Sequence, residues 1–199
     1  MSEVTFESGR SSHIDHPYEF AVDGKSLVSV FRNSIKSLET TPGSVKIDGL
    51  NTSVRLINGK FAMDRGSAKS LDINGVRPEN LEERFGSGHG FIKIGKIVMQ
   101  IFDDSISSTR SELKSLGLID DPTILLNVDC VSGKTNVIGY NHTNFLSIHG
   151  LKRISPKNYH PTGDVKSRSA VEISFDRTNM ERYIYKLNTV ASRNGYKVF

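Results

Sequence analysis

The sequence has no tryptophan, a single cysteine and six prolines among its 199 residues. One thiol, Cys130, cannot close an internal disulfide, which excludes a disulfide-stapled scaffold. Cys130 sits inside an apolar run, so a buried, inert thiol is expected there. No apolar stretch approaches the roughly 20 residues needed to cross a bilayer. The opening Met1-Ser2-Glu3-Val4-Thr5-Phe6 lacks the basic and apolar regions of a secretory signal. A cytoplasmic protein without a membrane partner is the expectation. Internal repeats and low-complexity tracts are missing. The six histidines, at 13, 16, 89, 142, 149 and 160, show no zinc-ligand spacing.

What remains is the composition of a globular domain, 36% hydrophobic and 24% charged, which leaves no case for extended disorder. The net charge of +4 favours contact with nucleic acid without establishing it. Residues 1–16 are polar and aperiodic and read as an N-terminal arm, with one domain over 17–199.

Leu27, Val30, Phe31, Ile35 and Leu38 recur at helical spacing and predict a helix from Ser26 to Leu38. The period then changes to two. Val45 and Ile47 alternate with Lys46 and Asp48, Ser53–Ile57 reads as a second strand, and Lys60–Met63 as a third. Asn58-Gly59 between the last two is a hairpin signal. Residues 44–65 are thus expected to form a β-meander. Residues 66–90 read as loop with a short helix near Glu79–Arg84. Ile92–Phe102 is ambiguous between strand and helix, and Ser108–Leu116 reads as a helix closed by Gly117. Strands are expected at Thr123–Val131, Phe145–Ile148 and Val171–Phe175, with a surface loop over 152–168. A last helix, Asn179–Arg193, presents Met180, Tyr183, Ile184, Leu187 and Val190, with Thr178 and Glu181 as a capping box. The fold class is α+β, antiparallel sheets flanked by helices.

The window Ser44-Val45-Lys46-Ile47-Asp48-Gly49-Leu50-Asn51 is where chemistry is expected. Val45 and Ile47 anchor one strand face, so Lys46 and Asp48 share the other. Gly49 allows a tight turn or a close approach. A lysine beside phosphates and other cations loses its proton more readily and becomes a nucleophile. The same four-residue string also suits a solvated strand end.

Lys46-Ile47-Asp48-Gly49 resembles motif I of the covalent lysine nucleotidyltransferases, the DNA and RNA ligases and capping enzymes. Leu50 extends the likeness to NAD-dependent DNA ligases, and Asn51 is similar to the asparagine that RNA ligases carry five residues after the lysine. Phe61-Ala62-Met63-Asp64-Arg65-Gly66-Ser67 resembles the strand that delivers an arginine in that superfamily, at Arg65. Leu125-Leu126-Asn127-Val128-Asp129-Cys130-Val131 is similar to motif III, with Asp129 in place of the usual glutamate. The lead-in His16-Pro17-Tyr18-Glu19 is a looser match, and the whole resemblance covers about residues 16–150.

The resemblance implies an adenylation domain. Lys46 would take AMP from ATP or NAD⁺, with Mg²⁺ neutralising the phosphates. AMP would pass to a 5′-phosphate end, and a 3′-OH would displace it to seal nicked DNA, or RNA, in repair or replication. Val45, Ile47, Asp48, Gly49 and Asn51 would line the nucleotide pocket. Arg65 would orient phosphate or nick, and Asp129 would bind ribose or metal.

Two family motifs have no convincing copy. Val171-Glu172-Ile173-Ser174 carries an acid on a strand but lacks the glycine of motif IV. Lys166-Ser167-Arg168 pairs basic residues but precedes that strand, unlike motif V. No OB-fold domain fits in the remaining residues. Three readings stand open: one subunit of a phage-type split ligase in an infected host cell, with a second subunit supplying the missing motifs; a catalytically inactive ligase-like protein that binds nucleic acid or serves a phage structure; or a fragment. Gly86-Ser87-Gly88-His89-Gly90 reads as a flexible loop rather than a phosphate cradle. Lys152, Arg153, Lys157, Lys166 and Arg168 could track a nucleic-acid backbone or be a solvated loop.

Overall fold

A computed structural model describes residues 21–40, 49–64, 75–133, 143–154 and 170–199. The chain separates into two units, residues 1–47 and 48–199. The expected arm over 1–16 lies outside the described residues, as does the expected strand around Val45 and Ile47.

In the first unit the expected helix forms as α1, Gly24–Thr40. Its start is set by a reciprocal cap: the Ser26 backbone N–H donates to Asp23 Oδ1 at 2.7 Å, and Ser26 Oγ accepts from the Asp23 N–H at 2.8 Å. These bonds to Ser26 hold the Asp23 carboxyl below its ordinary pKa.

The second unit is α+β. Its sheet runs in the order β2-β1-β3-β4-β5, all antiparallel: β1 Leu50–Ile57, β2 Lys60–Asp64, β3 Ile124–Val131, β4 Asn144–Ile154 and β5 Ala170–Ile173. A sixth strand, β6 (Tyr196–Val198), pairs with the first residues of β4 in parallel, an exception the sequence did not announce. The β1–β2 hairpin turns at Asn58-Gly59 as expected, both residues at positive φ.

A short helix α2 (Leu81–Phe85) follows a 3₁₀ turn, and α3 (Phe91–Ser115) then runs 25 residues. Two separate segments, 92–102 and 108–116, were expected; they are one helix. The polar link between them stays helical because its hydroxyls bond within it. Ser105 Oγ donates to Phe102 O at 2.7 Å, and Thr109 Oγ1 to Ser105 O at 2.8 Å. Gly117 closes the helix as expected, its N–H on Lys114 O and the Leu118 N–H on Leu113 O.

The last helix, α4, spans Arg177–Arg193. Its cap is Asp176, whose Oδ1 accepts from the Asn179 N–H at 2.8 Å. The expected Thr178–Glu181 box does not form; Glu181 pairs with Arg177 instead. Met180, Tyr183, Leu187 and Val190 are buried as expected, and Ile184 is partly buried.

Helices α3 and α4 cover one face of the sheet. Val54 and Leu56 of β1, Leu126, Val128 and Cys130 of β3, and Leu146 and Leu151 of β4 meet Val98, Phe102, Leu113 and Leu187 in one core. Between the helices Lys186 Nζ donates to Glu112 Oε1 at 2.7 Å. Arg77 ties down the hairpin by donating to Ile57 O and Phe61 O, and Asp103 accepts from the Phe61 N–H at 2.6 Å. Burial raises the Asp103 carboxyl above its usual pKa, the Phe61 N–H, Arg77 and Lys60 working against it. Among the described residues no helix is long and apolar enough to cross a membrane.

Candidate functional site

Side chains alternate across a strand, so the residues between the core positions face the other way. On β1 these are Asn51, Ser53 and Arg55; on β3, Leu125, Asn127 and Asp129. This second face is largely polar. Ser53, Arg55, Asn127 and Ser147 are all buried, while Asn51 is exposed.

Asn51 and Asp129 are direct partners across β1 and β3. The Asn51 amide Nδ2 donates to Asp129 Oδ1 at 2.9 Å and to Asn127 Oδ1 at 3.1 Å. Both amide hydrogens are thereby engaged, and Asn51 Oδ1 is left as an acceptor. Just before Asn51, Gly49 lies against the same carboxylate-bearing strand. A Cβ at Gly49 would stand 3.1 Å from Asp129 Cβ and 3.2 Å from Val131 Cγ2. Gly49 therefore has a packing reason to be glycine: β3 leaves little space for a side chain.

The other oxygen of Asp129 is held from β4. His149 Nε2 lies 2.9 Å from Asp129 Oδ2. The ladder between β3 and β4 breaks here: Val128 faces Ile148, Asn127 faces Gly150, and His149 is the extra residue between them. Such a bulge re-aims one side chain. Gly150 completes it at φ +144°, a backbone conformation that a side chain rarely adopts, with the Phe175 ring 3.0 Å from where a Cβ would be.

Lys152 lies further along β4 opposite Glu172 of β5. Half-burial lowers its ammonium pKa, opposed by Glu172 and Asp129. Lys152 was expected in a loop; it is on the strand, as is Arg153, which turns to Asp121 at 3.4 Å. Adjacent strand residues face opposite sides, so these two cations do not form one basic patch. Lys157, Lys166 and Arg168 lie outside the described residues. Next to the site, the Cys130 thiol is pushed far above its ordinary pKa by burial and by the Asp129 charge, consistent with an inert thiol.

Of the residues singled out in the sequence, Gly49, Asn51 and Asp129 come together, although 78 positions separate the last two. Val45, Lys46, Ile47, Asp48 and Arg65 lie outside the described residues. His149, Asn127 and Ser147 were not foreseen. Their signal was present: Ser147 and His149 flank Ile148 at strand spacing, directly after the apolar pair Phe145-Leu146.

The metal role expected of Asp129 finds little support in the donors present. Among the described residues no three His, Cys, Asp or Glu side chains gather as a metal-holding group. Among the described residues Asp129 is the one carboxylate in contact with Asn51 and His149; its Oδ1 accepts from the Asn51 amide and its Oδ2 lies 2.9 Å from His149 Nε2. Hard divalent cations need more oxygen ligands than this. The cluster is instead a hydrogen-bonding site: a fixed carboxylate flanked by amide, hydroxyl and imidazole groups, suited to a polar ligand. No protein-family model, curated protein or solved structure matches this chain.

Proposed function

We propose that the chain is the adenylation part of a polynucleotide ligase, with Lys46 as the residue that takes up AMP. The observation that carries this reading is the Asn51–Asp129 pair, with Gly49 packed on the same strand. Two windows chosen for chemistry from sequence alone meet on neighbouring strands. Lys46 stands three residues before Gly49 in the sequence.

The reaction begins when Lys46 Nζ, having lost its proton, attacks the α-phosphorus of ATP or NAD⁺. The bond to pyrophosphate or to nicotinamide mononucleotide breaks as the nitrogen–phosphorus bond forms. AMP then moves to a 5′-phosphate end of nicked DNA or RNA, and a 3′-OH displaces it. Asp129 and Asn51 hold the nucleotide's polar groups; Asp48 and Arg65 keep the pocket-lining and phosphate-orienting roles that the resemblance implies. Mg²⁺ enters in this reading as the companion of the nucleotide phosphates, not as an ion resident on the protein. Glu172 on β5 faces Lys152, which favours an ion-pairing role over that of a motif IV acid. In this reading a second subunit supplies motifs IV and V.

The test is incubation with radiolabelled ATP and, separately, labelled NAD⁺, with and without a candidate second subunit, followed by denaturing electrophoresis. Label on the wild type and none on Lys46→Ala is expected. Unlabelled protein under every condition would leave the chain as a non-catalytic relative of this scaffold.

A further inference from the structure

We propose that His149 is a ligand-contacting residue of this site, with Nε2 held on Asp129 and Nδ1 as the nitrogen that meets a bound nucleotide. The choice of a nucleotide rests on the ligase reading; the geometry around His149 does not.

His149 Nε2 stands 2.9 Å from Asp129 Oδ2, and an ionised carboxylate can only accept, so this contact favours the ring proton on Nε2. In the neutral ring Nδ1 then bears a lone pair, and in the protonated ring a second N–H. The ring is about one-third exposed, whereas the Asp129 side chain is only 13% exposed. The imidazole is therefore the more accessible end of the pair. Among the described residues Nδ1 takes no hydrogen-bond partner.

The backbone is arranged around this side chain. A regular ladder would need no residue between Ile148 and Gly150, yet one is inserted, and it is the histidine. Asp129, gripped from β1 by Asn51 and from β4 by His149, plays the orienting role that a carboxylate plays behind an imidazole. Among the described residues the charged groups around the pair are Asp129 itself on β3 and Lys152 on β4, with Glu172 on β5 facing that lysine. Asn51 Oδ1 and Ser147, the cross-strand partner of Asp129, complete the polar surroundings. A ligand carrying both hydroxyl and phosphate groups, such as ATP or NAD⁺, suits this mixture of acceptor, donor and cation.

The experiment is nitrogen-15 NMR of the full chain with labelled histidine, titrated with ATP, NAD⁺ and AMP. The His149 signals are assigned from their loss in His149→Gln. The ligand-free protein is expected to show His149 protonated at Nε2. Nucleotide moves the Nδ1 resonance and leaves Nε2 hydrogen-bonded. His149→Ala weakens nucleotide binding about tenfold or more, a lost hydrogen bond to a charged partner. His149→Gln, whose amide can still donate to Asp129, recovers part of the loss. An Nδ1 resonance unmoved by all three nucleotides overturns the proposal, as does wild-type affinity in His149→Ala. The two readings fail separately. Lys46 labelling with an unmoved Nδ1 removes His149 and keeps the ligase. A moved Nδ1 without labelling keeps a nucleotide site and removes the covalent chemistry. Should His149→Ala fail to fold, the wild-type titration alone decides.

Discussion

Asn51 and Asp129 face each other across β1 and β3, and the amide of the first donates to the carboxylate of the second at 2.9 Å. The contact joins two segments that share no local sequence context, and the amide that makes it also satisfies Asn127. Asn51→Ala should slow AMP labelling by about tenfold or more while lowering stability by only about 1 kcal/mol, since Asn51 is exposed. Asp129→Asn keeps the shape and removes the charge, and should reduce labelling further. Single-turnover labelling and urea midpoints measured on the same preparations check both.

Gly49 offers a steric test. A valine there would place atoms within reach of Asp129 Cβ and Val131 Cγ2, already 3.1 and 3.2 Å from a single added carbon. Gly49→Val should cost about 1–3 kcal/mol by overpacking and displace the Asp129 carboxylate. Gly49→Ala should be milder on both counts. Thermal melts and labelling rates separate the pair.

The Glu112–Lys186 contact links α3 to α4 away from the site. The hydrogen bond from Lys186 holds the Glu112 carboxyl below its ordinary value of 4.5. A depressed carboxyl contributes stability that is present above its unfolded pKa and is lost as pH falls through the folded one. Wild type should therefore lose stability as pH drops below about 4.5, and Glu112→Gln should flatten that part of the curve. Lys186→Met should destabilise by about 1–3 kcal/mol at neutral pH, because Glu112 stays buried without its partner. Urea unfolding across pH 3–7, the approximate window for carboxylate linkage, tests the sign.

Cys130 reports on the core beneath the site. Buried and with its thiolate disfavoured by Asp129, it should react with a disulfide reagent orders of magnitude more slowly than a free thiol at pH 8. One thiol per chain should appear on unfolding. Fast labelling of the native protein would show that β3 opens readily.

The elements most legible in the sequence were those with an uninterrupted period. The hairpin at Asn58-Gly59, strand β3 and helix α4 fall where turn residues and spacing put them. The sequence leaves Ile92–Phe102 ambiguous and starts a helix only at Ser108; α3 runs through the polar link between them, where the Ser105 and Ser108 hydroxyls bond backwards onto α3 carbonyls. Strand β4 was cut short at Ile148 because one inserted residue shifts the two-residue alternation, so Leu151 and Lys152 fall out of phase with Leu146 and Ser147. The same insertion hid the site's histidine. Asn51 and Asp129 were found through resemblance to known motifs, and only the tertiary pairing shows that they touch. Nothing local marks β6, a three-residue strand whose partner lies some fifty positions earlier.

Removing His149 would leave Ile148 and Gly150 as neighbours, each still opposite its present partner on β3. The shortened strand could pair without interruption. The extra residue in β4 is thus one that strand pairing does without and that the proposed ligand contact requires.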